Sequence, residues 1–223
     1  MKDKSLIEER IKAIRATLPQ GVTLIAVSKY HPAEAIEAAY SAGQRDFGES
    51  KAQDLAAKHK LLPPDIKWHF IGHLQSNKIK YIAPFVHLIH SIDSYRLLEE
   101  VNKHGAKNSR RIPCLLQIHI AQEETKFGFS PAECMKMLDE GKWRELEYIE
   151  INGLMCMASN TDDKKQIANE FAAVQQLFKE IKERHFASKD SFSIISAGMS
   201  DDYPIAIEHG STHIRIGSSI FAG

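Results

Sequence analysis

The pattern that most constrains this chain is a regular alternation of short apolar strands with amphipathic helices. Runs of strand length fall at residues 23–27, 45–47, 67–71, 86–92, 112–120, 149–155, 192–196 and 212–216. Helical patterns separate them, at residues 32–42, 50–60, 78–82, 95–103, 130–140, 162–185 and 202–209. Regular strand–helix alternation implies parallel strands joined by crossover helices. Eight such units predict a closed barrel. An open doubly wound sheet is the rival, but no GxGxxG turn follows the first strand.

One more helix, at residues 5–18, precedes the repeat. Its Ile7, Ile11, Ile14 and Leu18 recur at spacings of 4, 3 and 4, which defines one apolar face, and Pro19 and Gly21 stop it. In the longest helix Ile167, Phe171, Val174, Phe178 and Ile181 form a continuous stripe. Ser130 and Pro131 read as the cap and first residue of the helix that follows them. No proline-rich or glycine-serine linker interrupts the repeat. The expectation is a single (β/α)8 barrel domain over residues 1–223, extended by the opening helix.

Lys plus Arg (29) balance Asp plus Glu (29), so no net field draws the chain to nucleic acid or an anionic membrane. No segment approaches the ~20 apolar residues of a membrane span, and the N-terminus lacks an apolar signal core. A cytoplasmic protein is expected. The three cysteines, Cys114, Cys134 and Cys156, are widely spaced and form no CxxC pair, which argues against a disulfide framework or cysteine-rich zinc site.

In such barrels reactive groups sit at the C-terminal ends of strands. The run Leu24-Ile25-Ala26-Val27-Ser28 delivers Lys29 to that end of the first strand. A lysine there either reaches solvent or, at the edge of an apolar interior, loses hydration, so that its pKa falls and its neutral amine can attack an aldehyde or ketone. Phosphates are commonly held by the loops after strands seven and eight. The first of these loops reads Ser196-Ala197-Gly198-Met199-Ser200-Asp201-Asp202 and opens into a helix, which Ser200 or Asp201 could simply cap. In His213-Ile214-Arg215-Ile216-Gly217-Ser218, the period of two puts Ile214 and Ile216 on the helix side and aims Arg215 into the barrel. Its guanidinium must meet an internal carboxylate or a ligand. Gly217 and Ser218 add backbone and hydroxyl donors.

These residues carry a resemblance to the pyridoxal 5'-phosphate homeostasis protein family, itself related to the N-terminal barrel of alanine racemase. It spans nearly the whole chain, from Ala26-Val27-Ser28-Lys29 to Gly210-Ser211-Thr212-His213-Ile214-Arg215-Ile216-Gly217. Between these lie Phe47-Gly48-Glu49-Ser50, Trp68-His69-Phe70-Ile71-Gly72-His73-Leu74-Gln75-Ser76-Asn77-Lys78, Thr125-Lys126-Phe127-Gly128, Asn152-Gly153-Leu154-Met155 and Gly198-Met199-Ser200-Asp201-Asp202. The resemblance implies that Lys29 holds pyridoxal phosphate as an aldimine, a Schiff base. Ser200 and the Gly217-Ser218 backbone would hold the phosphate, and Arg215 would face the pyridine nitrogen. Ser196, Met199 and Ser50 would complete the cofactor site. Ser50 stands where the family usually has asparagine, so it keeps a hydrogen-bonding group but a shorter one.

The function implied is intracellular vitamin B6 homeostasis: reversible holding of the coenzyme and its delivery to apo forms of pyridoxal phosphate enzymes. The alternative is a racemase or related enzyme. Racemisation needs a second acid–base group, which alanine racemase relatives take from a tyrosine of a C-terminal β domain. This chain ends shortly after strand eight, so a carrier, and a monomer, is expected. An aldolase-like barrel would need an acid–base partner for Lys29 that the sequence does not identify. The eleven histidines invite a metal reading, but His69 and His73 fall in a strand and a loop, and His87 and His90 fall on opposite faces of one strand. No metal site is expected. His73 instead could line the barrel mouth.

Overall fold

In the computed structural model, which describes residues 2–121 and 127–222, eight parallel strands close in sequence order into a barrel. They are β1 (Thr23–Val27), β2 (Asp46–Glu49), β3 (Lys67–Phe70), β4 (Leu88–Ile92), β5 (Ile112–Ile118), β6 (Ile149–Cys156), β7 (Ile194–Ser196) and β8 (His213–Ile216). β8 pairs back onto β1, with Ile25 opposite Arg215. The helices are α1 (Lys2–Thr17), α2 (Ala33–Ser41), α3 (Ala52–Leu61), α4 (Ile79–Ile82), α5 (Tyr95–Lys107), α6 (Pro131–Glu140), α7 (Lys164–His185), α8 (Tyr203–Glu208) and α9 (Ser218–Phe221). The sequence pattern did not disclose α9, a single turn.

The period of two along each strand divides the molecule into two cores. Leu24, Ala26, Trp68, Phe70, Leu116, Ile214 and Ile216 face outward into the layer beneath the helices. Leu88, Leu115 and Met155 bury together as a separate cluster, with Ile194 packed against it. Ile25, opposite Arg215, is also inward and buried, but many of the other inward positions are polar: His69, His90, Ser196, Gln117 and Arg215 are all buried. A barrel interior needs only to be filled by side chains. Half of this one is filled by groups that must find hydrogen-bond partners.

Two register shifts adjust the alternation. One lies in β4 between Ile89 and Ile92, so that both enter the outer core. The other sets Gly153 opposite Leu115 where β5 meets β6. A Cβ at Gly153, whose φ is 152°, would fall 1.8 Å from the Ile194 carbonyl oxygen, so β7 can pair there only against glycine. Elsewhere the helix signals act as read. Ser130 caps α6 and exchanges bonds with Glu133 in a capping box. In α7 the buried stripe runs through Leu177, while Phe178 is partly buried and stacks on Phe192. α1 packs on α2 and α9, and its Arg10 donates to the Ile220 and Ala222 carbonyls. Cys114, Cys134 and Cys156 are buried free thiols. Burial pushes the thiols of Cys134 and Cys156 up to about 12. Among the described residues no helix is long and apolar enough to cross a membrane.

Candidate functional site

A cavity of about 580 Å³ opens at the C-terminal ends of the strands. Lys29, Ser50, Met199, Ser200, Arg215, Gly217 and Ser218 all line it. His73 joins them, as the sequence suggested, with Gln117 and Phe127. Ser196 does not line the cavity; it lies beneath, bonded to Arg215. Thr125 and Lys126 lie outside the described residues.

Of the two settings open to Lys29 at the end of the apolar strand, the structure shows the exposed one. It stands two residues beyond β1, and its side chain is exposed. The turn that carries it is held from below. The Ser28 N–H donates to the Gly48 carbonyl at 3.0 Å. Lys58 Nζ donates to the Ser28 carbonyl at 2.9 Å and to Glu49 Oε1 at 2.6 Å. Ser28 Oγ donates to the same Glu49 oxygen at 2.6 Å. Glu49 is buried, so α3 supplies the cation that its charge requires. The next residue, Tyr30, has φ of 70°, a left-handed conformation that costs an aromatic residue about 1–3 kcal/mol. Neither Glu49 nor Lys58 was singled out in the sequence. A glutamate at the buried end of a strand, directly after Phe47 and Gly48, was the available signal.

The loops after β7 and β8 converge. Ser218 Oγ donates to Ser200 Oγ at 2.9 Å. Ser200 and Asp201 do not cap α8; the cap position is Asp202, whose carboxylate accepts from the Met199 N–H at 2.6 Å. Burial raises the Asp202 pKa. Gly198, at φ of 94°, makes the turn between them. A Cβ there would lie 2.8 Å from Ala206 and Tyr203 of α8. Its carbonyl accepts the Arg215 N–H at 3.0 Å, which ties the two loops together.

Arg215 points inward as the strand period requires and is buried. Nη1 donates to Ser196 Oγ at 2.7 Å and Nη2 to the Cys156 carbonyl at 2.9 Å. Among the described residues no carboxylate lies within ion-pair distance of it. Of the two fates expected for this guanidinium, the internal carboxylate is therefore not found among them. Burial lowers its pKa, yet an arginine stays charged.

A hydrogen-bonded chain runs from Arg215 through the barrel. Ser196 Oγ is 2.9 Å from His90 Nδ1, His90 Nε2 is 2.9 Å from His69 Nδ1, and His69 Nε2 is 3.0 Å from Asp46 Oδ1. Arginine only donates and an ionised carboxylate only accepts. When each ring carries a single proton, every link therefore donates toward Asp46. Burial, and then His69, hold His90 well below the usual imidazole range. His213, bonded to Thr212 Oγ1 at 3.0 Å, is pushed down to about 4 chiefly by burial.

A family model, the alanine racemase N-terminal domain, matches residues 3–223. The Helicobacter pylori pyridoxal phosphate homeostasis protein is 38% identical over 202 residues, covering 90% of this chain and 87% of that protein. The human protein of the same name is 34% identical, covering 96% and 83%. PipY of Synechococcus elongatus, solved without PLP, is 36% identical, covers 97% of this chain and all of its own, and superposes with a TM-score of 0.91. The same protein with PLP bound gives 0.87 at 35% identity. Alanine racemase of Clostridium difficile, at 11% identity and a TM-score of 0.77, shares the fold. By class, then, this is a barrel of the alanine racemase N-terminal type. Within that class the chain belongs to the pyridoxal phosphate homeostasis protein family.

Proposed function

We propose that this protein binds pyridoxal phosphate reversibly in the cavity at the strand C-termini and serves its intracellular homeostasis. One observation carries the reading. A single cavity brings together an exposed amine, a buried guanidinium with no carboxylate partner among the described residues, and two converged hydroxyls from the β7 and β8 loops. That donor set is complementary to an anionic, aldehyde-bearing ligand. Pyridoxal phosphate supplies an aldehyde that condenses reversibly with a primary amine.

Lys29 presents that amine, and the Ser28–Glu49–Lys58 cluster fixes the turn beneath it. Ser200, Ser218 and the Gly217 backbone would hold the phosphate through hydroxyl and N–H donors, and Arg215 would stand by the pyridine nitrogen. Met199 and Ser50 would wall the ring, and Ser196 would steady Arg215. A cation beside that nitrogen disfavours a proton there, so the ring stays a weak electron sink. The cavity is thus suited to holding the coenzyme and releasing it to apo-enzymes, more than to carbanion chemistry. Protein loaded with the coenzyme is expected to give a yellow absorption band that is lost in Lys29→Ala, and to leave L-amino acids unracemised. Robust turnover of an L-amino acid to its mirror form would replace the carrier reading with the racemase one.

A further inference from the structure

The far end of the barrel carries a second cluster of chemistry-bearing groups that the coenzyme site does not use. Asp46 opens β2, His69 lies in β3, and His87 immediately precedes β4. These are three consecutive paired strands, so their parallel register brings together residues that no sequence spacing pairs. One ligand atom from each lies within 4.8 Å of the others. We propose that Asp46, His69 and His87 form a binding site for one first-row divalent cation of the Zn²⁺ class at the N-terminal mouth of the barrel.

The donor chemistry fits. Two imidazoles and one carboxylate, with room left for water, are a common set for zinc and its neighbours. Metal–ligand bonds of ~2.0–2.2 Å at tetrahedral angles put neighbouring donors roughly 3.3–3.5 Å apart. His69 Nε2 and Asp46 Oδ1 already stand 3.0 Å apart, so an ion between them needs little opening of that pair. His87 supplies the third arm from an exposed position, its ring centroid 5.2 Å from that of His69, so the entry path is open and a side-chain rotation closes the set. The sequence excluded metal from the His69–His73 and His87–His90 pairs. The pairing the fold makes is His69 with His87.

The second independent feature is the support behind His69. Metal-ligating histidines are oriented by a partner on their other ring nitrogen. Here that partner is the buried His90, 2.9 Å from His69 Nδ1, itself fixed by Ser196. Ligation needs His69 to carry its proton on Nδ1. Each ring proton of the chain then moves to the opposite nitrogen, with none lost: His69 donates to His90, and His90 donates to Ser196.

The test is calorimetry with Zn²⁺ and visible d–d absorption with Co²⁺ on the full chain. One ion per chain is expected. His87→Ala and Asp46→Asn should each weaken binding by at least roughly tenfold. His73→Ala, at the other mouth, and Lys29→Ala, which removes the coenzyme tether, should bind the ion as the parent does. No saturable uptake of either ion would overturn the site. So would uptake that His87→Ala leaves unchanged, and because His87 is exposed this variant is expected to fold.

Discussion

A buried guanidinium is costly unless its charge is met. Arg215 finds a hydroxyl and a carbonyl in this barrel, but no described carboxylate. Its remaining complement is therefore assigned to the ligand. Arg215→Ala should weaken coenzyme retention, and Ser200→Ala should weaken it about tenfold, matching the ~1.5 kcal/mol of a hydrogen bond to a charged group. Equilibrium titration of dialysed protein reads both, and unchanged affinity in both variants would reject the assignment of phosphate and ring contacts. The roles open to Arg215, Ser200, Gly217 and Ser218 were legible in the sequence because strand period and strand-end position fix which way each can face. The setting of Lys29 was not. One residue, Ser28, separates β1 from Lys29, which itself lies in a turn with Tyr30, and that turn lifts the side chain out of the apolar interior into the open mouth.

At the scale of elements, the turn after β1 depends on α3. Lys58 reaches from that helix to the Ser28 carbonyl and to the buried Glu49 of β2. Removing one partner of a buried pair leaves an uncompensated charge. Lys58→Met should therefore lower stability by about 3 kcal/mol and reduce coenzyme retention by loosening the Lys29 turn. Denaturant unfolding measures the first and titration the second; a variant as stable as the parent would show that the pair does not support the turn. Such cross-element contacts are invisible to patterning. Glu49 and Lys58 are nine positions apart on a strand and a helix, and no periodicity links them. The start of α6, by contrast, was fixed by a local signal, the Ser130 cap, which Glu133 completes as a capping box.

For the whole molecule, the polar half of the barrel interior links stability to pH. His213 titrates near 4 in the folded protein against ~6.5 in an unfolded chain, and His90 is shifted the same way. Between these values the unfolded chain binds more protons, so stability rises with pH through the window. It is full above about 6.5 and falls as pH drops toward about 4, by up to ~3 kcal/mol for His213. Urea unfolding across that range should show the decline, and His213→Asn should lessen it by the His213 share; a parent curve flat across the window would contradict the burial of these rings. The fold class was readable because eight strand–helix units admit few closures. The chain from Arg215 to Asp46 was not, because it depends on which inward residues meet across a closed barrel. The grouping of His87 with His69 depends instead on the register in which β3 and β4 pair.

The proposed binding mode rests on Lys29 as the attachment point of the coenzyme. The direct measurement is borohydride reduction after incubation with pyridoxal phosphate, followed by peptide mass spectrometry. Reduction is expected to leave one stable adduct on the peptide containing Lys29 and none in Lys29→Ala. A Lys29 peptide without adduct, or an adduct fixed on a different lysine, would contradict it.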